Sequence, residues 1–537
     1  MQTTIQARVK FLAETYPNKE VFVFVSTTGL RSALSCLDMY ELSSKVGSLL
    51  RKAGIKPGDV VCDTLPNSPE MVVCDFGILA AGGVILNKTA YRSDGSDLCH
   101  MLNTSKCKVV IADQTQSPCI WEILKRQIDE ISSDGLVKSE KLPFLERVIF
   151  APITNGNNEF IKRIKTEDIY FYTSGSPSDT GIIWMTSGTT GLPKLIVRSH
   201  EAVLINARIF ASMTNESFST IHYNDNAMGH ASSFANSFLA SCAKRVFIDH
   251  RFQLPVDQEM FIWELVCSEK CTTALMPPFV FRGILRKPEL LKKQNYLLDL
   301  LCTAGQPVDK DWSEVLGKIT RSASFAYGLS EIGYCCSQLC VTSSDMLPYV
   351  AGYPSAEGIE VKIVDENQQE TSPSTHGELL VRAPWMFDGY LGNEEKSKSK
   401  FTQDGWFKTD DLAYKDKDGC LFVMCRRSDA IAWGMCTVYP AYFETPIRSL
   451  SVIADVIIVP VPDKDSFQEI CACIRLCEGI ALNEKEVADM CDSLFVEDSD
   501  MPAPKYYMVM ENFPYLTSAK PDKTKLISLA KEKFNLN

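Results

Sequence analysis

The sequence predicts an α/β protein: a large N-terminal domain of α/β sheet units with a β-rich subdomain, followed by a small α+β C-terminal domain. Three observations carry this. Short apolar runs alternate with helical patterns from about residue 38 to residue 304. After about residue 345, strand-like runs follow one another between turn-rich loops. From Asp429 onward, two strand patterns and a helix stand behind a charged stretch at Arg426 to Asp429. The expected division is 1–425 for the large domain, 426–428 for a hinge and 429–537 for the small domain.

The elements follow in order. Asp38 can cap a helix with apolar positions at Leu42, Val46, Leu49, Leu50 and Ala53, closed by Gly54. Asp59 to Cys62 reads as a strand. Ser68-Pro69-Glu70 opens a second helix with a cap, a proline in the first turn and an acid at the positive end of the dipole; Gly82-Gly83 stop it. Strands are predicted at Val84–Leu86, Val109–Ala112, Ile182–Met185, Arg245–Asp249, Thr273–Met276 and Leu301–Ala304. The β-rich part offers Ile359–Val364, Gly377–Arg382 and Leu421–Met424. The last domain offers Ala454–Val459, Ile470–Leu476 and a helix from Glu484 to about Phe495.

With 537 residues, 45% apolar and 23% charged, the chain has the composition of an ordinary globular protein with room for more than one core. Its net charge of −12 and the lack of a long basic run argue against a nucleic-acid surface. There is no basic-then-apolar start of the secretory kind, no apolar run long enough to cross a bilayer and no terminal Ser-Lys-Leu. The expectation is a cytoplasmic protein without a transmembrane segment. The 20 cysteines are scattered through apolar stretches and read as reduced, buried thiols; neither Cys267/Cys271 nor Cys335-Cys336 fits a zinc quartet.

The most telling segment is Thr186-Ser187-Gly188-Thr189-Thr190-Gly191-Leu192-Pro193-Lys194. It bares backbone N–H groups and hydroxyls beside a lysine, a set of donors for phosphate oxygens. Its spacing is not that of a Walker loop, and its bland alternative is an ordinary surface loop. An ordered series lies downstream. Thr303-Ala304-Gly305-Gln306-Pro307 follows a strand, and its small residues would let a flat ring approach the backbone. Tyr327-Gly328-Leu329-Ser330-Glu331 offers an aromatic face, a hydroxyl and a carboxylate able to hold Mg²⁺. Gly377-Glu378-Leu379, Gly389-Tyr390-Leu391 and Asp404-Gly405-Trp406-Phe407-Lys408-Thr409-Asp410-Asp411 come next, then Arg426, and last Thr517-Ser518-Ala519-Lys520-Pro521-Asp522-Lys523.

In order and spacing, this set resembles the adenylate-forming superfamily of acyl-CoA synthetases, coumarate–CoA ligases and beetle luciferases, over nearly the whole chain. The resemblance implies a two-step ligase. A carboxylate attacks the α-phosphate of ATP, giving an acyl-adenylate and pyrophosphate; the thiol of coenzyme A then displaces AMP. It implies that Ser187 to Lys194, with Thr186, hold the β- and γ-phosphates, and that Ala304, Gly305, Gln306, Pro307 and Tyr327-Gly328 enclose the adenine. Ser330 would touch phosphate, Glu331 would help place Mg²⁺ and Asp411 would hold the ribose beside Arg426, which is preferred to its neighbour Arg427. Lys520 would reach from the small domain, a mobile lid, to bridge the carboxylate and the α-phosphate.

The chain departs from the pattern in three places. Leu195 follows the loop lysine where glycine is usual. Gly229 occupies the position of the second histidine of a pair in the segment expected to line the acid's pocket, and His230 comes one place later. Shortly after the hinge, Gly434-Met435 replaces the usual lysine–glycine turn, on the face that would turn inward for thiol transfer. Two other readings stand beside the carboxylate–CoA ligase acting on a fatty or aryl acid. One is a luciferase-like oxygenase, which the altered turn favours. The other is a catalytically weakened ligand-binding relative, which the missing histidine favours.

Overall fold

The computed structural model describes residues 3–87, 92–115, 120–157, 159–186, 192–305, 310–433, 436–463, 466–495, 503–515 and 521–536. Three large sheets organise them. One has six strands, in the order Lys194–Ser199, Thr180–Thr186, Val84–Asn87, Val60–Asp63, Val109–Ala112 and Arg147–Phe150. All neighbours in it are parallel except the first pair, an antiparallel hairpin that sets Lys194 opposite Thr186. Its three central strands are buried throughout and read Val-Val-Cys-Asp, Val-Ile-Leu-Asn and Val-Val-Ile-Ala, as parallel strands covered on both faces must.

A 13-stranded sheet runs from Glu360–Val364 at one edge to Arg31–Ser35 at the other. Its centre is parallel: Thr320–Leu329, Leu298–Ala304, Thr273–Leu275, Ile221–Tyr223, Lys244–Ile248 and Glu20–Val25. The β-rich part after residue 345 is hydrogen-bonded onto this sheet. The joint is thin: Val350–Pro354 pairs with Gly333–Cys340 through Cys336 opposite Pro354 and Ser337 opposite Tyr353. The third sheet has five strands, all drawn from residues 431–509. It packs back on the rest through Tyr439 and Ala441, which share a core with Tyr349 and Met424, and through Tyr439 Oη, 3.0 Å from His376 Nδ1.

Several boundaries differ from expectation. The first long helix is Cys36–Lys52, and its N-cap is Ser35, not Asp38; Asp38 is the third helical residue and returns a hydrogen bond to the cap's backbone, a capping box. Ser68 caps the helix Pro69–Ala80 as predicted. Leu298–Ala304 begins three residues before the predicted strand, and the C-terminal strands are longer than their apolar cores, at Ile453–Asp463 and Phe467–Leu476. The helix Gln258–Ser268 ends before Cys271, so the Cys267/Cys271 pair does not share a helix face. The 18 cysteines whose side chains are described are free, and most are buried. No described helix is long and apolar enough to cross a membrane.

The six-stranded and 13-stranded sheets meet near the carboxyl ends of their parallel strands, the place where open α/β sheets bind ligands. Around a shared apolar core, buried polar contacts cross there. Arg251, just past the strand Lys244–Ile248, bonds Asp249 at 2.7 Å and reaches Glu70, at the start of the helix Pro69–Ala80, at 3.1 Å. Asn67 donates to the carbonyl of Asp225 at 2.9 Å.

Candidate active site

At the end of the seam formed by the antiparallel strands, Phe407–Lys415 pairs with Leu421–Arg426 so that Asp411 faces Arg426. Arg426 Nε lies 3.0 Å from Asp411 Oδ1, and its Nη1 donates to the carbonyl of Thr409 at 2.8 Å. Tyr327, on the strand Thr320–Leu329 of the same sheet, donates its hydroxyl to Asp411 Oδ2. Thr409 Oγ1 accepts from the Asp411 N–H at 3.0 Å. Burial pushes the Asp411 carboxyl up, while Arg426 and the Tyr327 hydroxyl pull it down. Burial and the same carboxylate hold the Tyr327 phenol well above its ordinary range, so it remains a donor. The result is one fixed carboxylate, 4% exposed, beside an aromatic ring and a guanidinium.

A second group forms where the hairpin of the six-stranded sheet meets Gly389-Tyr390-Leu391. Ile196 bridges Tyr390, and the Leu391 N–H donates to the Leu195 carbonyl at 2.9 Å. This contact seats the Lys194 ammonium over the Tyr390 ring, 4.8 Å from its centroid. The Tyr390 hydroxyl donates to Glu331 Oε1 at 2.7 Å. Arg198, on the same strand as Lys194 and 1% exposed, donates to the Glu331 carbonyl at 2.8 Å. Burial lowers the Arg198 guanidinium to about 10 and also lowers Lys194. Tyr390 thus fixes one oxygen of Glu331, and among the described residues nothing bonds the other. A carboxylate held this way beside a lysine suits a Mg²⁺ ion carrying phosphate.

A third element is the loop 224–233, after the strand Ile221–Tyr223. Arg245 lies beneath it, 1% exposed, with its guanidinium 4.0 Å from the Phe247 ring centroid. Arg245 donates to three loop carbonyls: Asn224 at 2.9 Å, Asn226 at 2.8 Å and Ser233. The Tyr334 hydroxyl donates to the Ser232 carbonyl at 2.9 Å, and Asn206 donates to that of Ala231 at 3.2 Å. The loop carries Gly229 and His230. His230 is exposed, with Nδ1 2.7 Å from Ser232 Oγ. Gly229 is buried, and a Cβ there would lie 2.6 Å from the Asn87 Cβ. That contact gives a physical reason for the missing histidine: Asn87 occupies the space a side chain at 229 would need.

The structure therefore brings Glu331 to Lys194, and Asp411 to Tyr327 and Arg426. Arg426, not Arg427, faces Asp411; Arg427 bonds Glu378 at 3.3 Å. Thr186 and Lys194 are opposed at the base of their hairpin. Ala304 ends its strand opposite Ala326, and Gly305 takes φ +85° with no atom of the described residues within 4 Å of an added Cβ, so they leave the backbone open there. At Gly328 a Cβ would meet the Gly333 carbonyl oxygen at 2.5 Å, which requires glycine. Ser330 is half-buried in the turn after the strand. Ser187, Gly188, Thr189, Thr190, Gly191, Gln306, Pro307, Lys520 and the Gly434-Met435 turn lie outside the described residues. On either side of Lys520 the chain is fixed: Tyr515 bridges Pro521, and Lys523 pairs with Asp429, three residues beyond Arg426, at 2.7 Å. Sequence reasoning assigned no role to Tyr390, Arg198 or Arg245. The two arginines did leave a signal, a basic residue inside an apolar strand.

Residues 10–391 match the family described as AMP-binding enzyme. The chain belongs to the AMP-binding enzyme family. Relatives of this AMP-binding enzyme include a long-chain-fatty-acid–CoA ligase of Bacillus subtilis, 24% identical over 90% of this chain and 87% of that protein. A 4-coumarate–CoA ligase of Humulus lupulus is 24% identical over 83% of this chain and 80% of its own length. Among solved structures, ATP-bound MatB from Rhodopseudomonas palustris superposes with a TM-score of 0.82 at 21% identity, covering 99% of this chain and 100% of that one. The AMP-binding enzyme thus has the two-domain α/β fold expected of it.

Proposed function

We propose that this AMP-binding enzyme activates a carboxylic acid, fatty or aromatic, with Mg-ATP and passes the acyl group to coenzyme A. The observation that carries the reading is the pairing of two preformed groups at one seam: Asp411 with Tyr327 and Arg426, and Glu331 with Tyr390 and Lys194. The first suits a ribose and an adenine: the Asp411 carboxylate accepts from vicinal hydroxyls, and the open backbone at Ala304 and Gly305 admits a flat ring. The second suits phosphates and their magnesium.

The chemical obstacle in the first step is repulsion between an acid anion and a polyanion. Cations and N–H donors placed in advance on the developing charge lower it. Ser187 to Gly191 and Lys194 hold the leaving pyrophosphate, with Ser330 on a phosphate oxygen. Arg426 pairs with the Asp411 carboxylate and orients it. Lys520 works at the bond that forms, between the carboxylate and the α-phosphate. Asp429 and Lys523 tie the chain near Lys520 to the chain just past Arg426, which supports that role. The small domain 429–537 would turn about 426–428 between the two steps, with residues 1–425 as the fixed body. Loop 224–233 lines the acid's pocket. The CoA-ligase names among the relatives weigh for thiol transfer over oxidation of a luciferin.

The test is incubation with Mg-ATP and a panel of fatty and aryl acids, with and without coenzyme A, following pyrophosphate, acyl-CoA and light. Acid-dependent pyrophosphate with acyl-CoA is expected. Pyrophosphate without acyl-CoA would sink the ligase reading, and no pyrophosphate across the panel would favour a binding protein.

A further inference from the structure

Beside Glu331 and Lys194 stands a pair to which the proposed chemistry assigns no role. The helix Glu394–Lys400 places Lys396 and Lys400 four residues apart, on one face. Lys400 is 9% exposed, and its ammonium is in direct contact with the Asp410 carboxylate. Asp410 takes φ +61°, the left-handed region that favours glycine and asparagine. Both lysines and Asp410 act electrostatically on Lys194, as does Glu331. The helix is tied to the same tyrosine that carries Lys194: the Tyr390 N–H donates to Ser397 Oγ at 2.8 Å, and the Lys194 ammonium lies 4.8 Å from the Tyr390 ring centroid. The Lys400–Asp410 pair therefore borders the place where the proposed reaction needs a polyphosphate, and its carboxylate has the wrong sign for an anion.

A buried ammonium needs a partner at all times. Asp410 supplies one while the site is empty, and a phosphate oxygen can supply a better one. We propose that Lys400 is a further residue for the pyrophosphoryl group, whether that group is the β,γ-end of ATP or free pyrophosphate, and that Asp410 holds it in reserve and competes with that ligand. This rests on the nucleotide reading of the site given above. Asp410 thereby weakens polyphosphate binding and eases release of the product, while AMP, which lacks these phosphates, does not engage the pair.

The experiment is calorimetric titration of the full-length wild type, Lys400→Gln and Asp410→Asn with AMP, Mg-pyrophosphate and a Mg-bound non-hydrolysable ATP analogue. Asparagine tolerates the left-handed backbone, so Asp410→Asn removes the charge and keeps the fold; it carries the test if Lys400→Gln fails to fold. Lys400→Gln should weaken pyrophosphate and the ATP analogue by about tenfold, the loss of one charge-assisted bond, and leave AMP unchanged. Asp410→Asn should tighten both by several-fold and leave AMP unchanged. Wild-type binding of all three ligands with Asp410→Asn no tighter for pyrophosphate overturns this inference alone, as does an equal loss for AMP in Lys400→Gln. A wild type that binds none of them overturns the nucleotide reading and this inference with it.

Discussion

Replacing Arg245 with lysine keeps the charge and removes the fork. The guanidinium donates to the carbonyls of Asn224, Asn226 and Ser233 from a position 1% exposed. A lysine ammonium is a compact donor on a single stem and can serve one of the three. Two buried carbonyls then lose their partner, at about 1–3 kcal/mol each, so the site loses about 2–6 kcal/mol. The loss falls on the loop that carries Gly229 and His230. Asp411, Tyr327 and Arg426 share no hydrogen bond with Arg245 among the described residues, so the nucleotide end keeps its geometry. Thermal melting, with steady-state kinetics in which acid and ATP are varied in turn, reads both effects. The melting midpoint should fall by several degrees, and KM for the acid should rise by about tenfold or more, since about 1.4 kcal/mol is one decade, with KM for ATP little changed. A lysine variant that melts like the wild type with an unchanged acid KM refutes the reasoning, and so does an equal rise in both KM values.

Two further outcomes follow from buried positions. In Gly229→Ala the new methyl lies 2.6 Å from the Asn87 Cβ, well inside the ~3.5–4.0 Å carbon contact distance; overpacking of this kind costs about 1–3 kcal/mol and should lower the melting midpoint and raise the acid KM together. An alanine variant with wild-type melting would show that the loop gives way freely. Burial raises Glu216 from 4.5 to about 7, with the Ser237 and Ser241 hydroxyls and Arg245 pulling the other way. The fold therefore favours protonated Glu216. That stabilisation is complete below about pH 4.5 and is lost as pH rises through about 7, a difference of about 3 kcal/mol. Glu216→Gln should gain on the wild type in melting between pH 5 and pH 8. His222 Nδ1 lies 3.4 Å from Glu216 Oε1, but burial lowers the imidazole to about 3, so it stays neutral between pH 5 and pH 8 and adds no titration there; a constant offset across that range would contradict the assignment.

Much of this was legible in the sequence, for identifiable reasons. The parallel strands Val60–Asp63 and Val109–Ala112 are short apolar runs bounded by turn residues, and their signal is local. Ser68-Pro69-Glu70 starts a helix by chemistry confined to three residues. The joining of the β-rich part to the 13-stranded sheet was not legible, because it depends on Cys336 meeting Pro354 and Ser337 meeting Tyr353, and pairings between strands are not written within either strand. The same limit applies to the site. Asp411, Arg426, Glu331 and Lys194 stand in recognisable motifs. Tyr390's bond to Glu331 and Arg245's hold on the loop 224–233 exist only once distant segments meet. The crowding of position 229 by Asn87 is of the same kind: an absent side chain in one segment is explained by the Cβ of a residue 142 positions earlier, at the end of the strand Val84–Asn87.

The central claim is reversible formation of an acyl-adenylate, with Lys520 at the bond that forms. Acid-dependent exchange of labelled pyrophosphate into ATP, without coenzyme A, measures that step alone. The account predicts exchange in the wild type that requires a carboxylic acid, and a loss on the order of 10²–10³ in Lys520→Ala while ATP still binds. Exchange that ignores the acid, or that continues at the wild-type rate in Lys520→Ala, would contradict it.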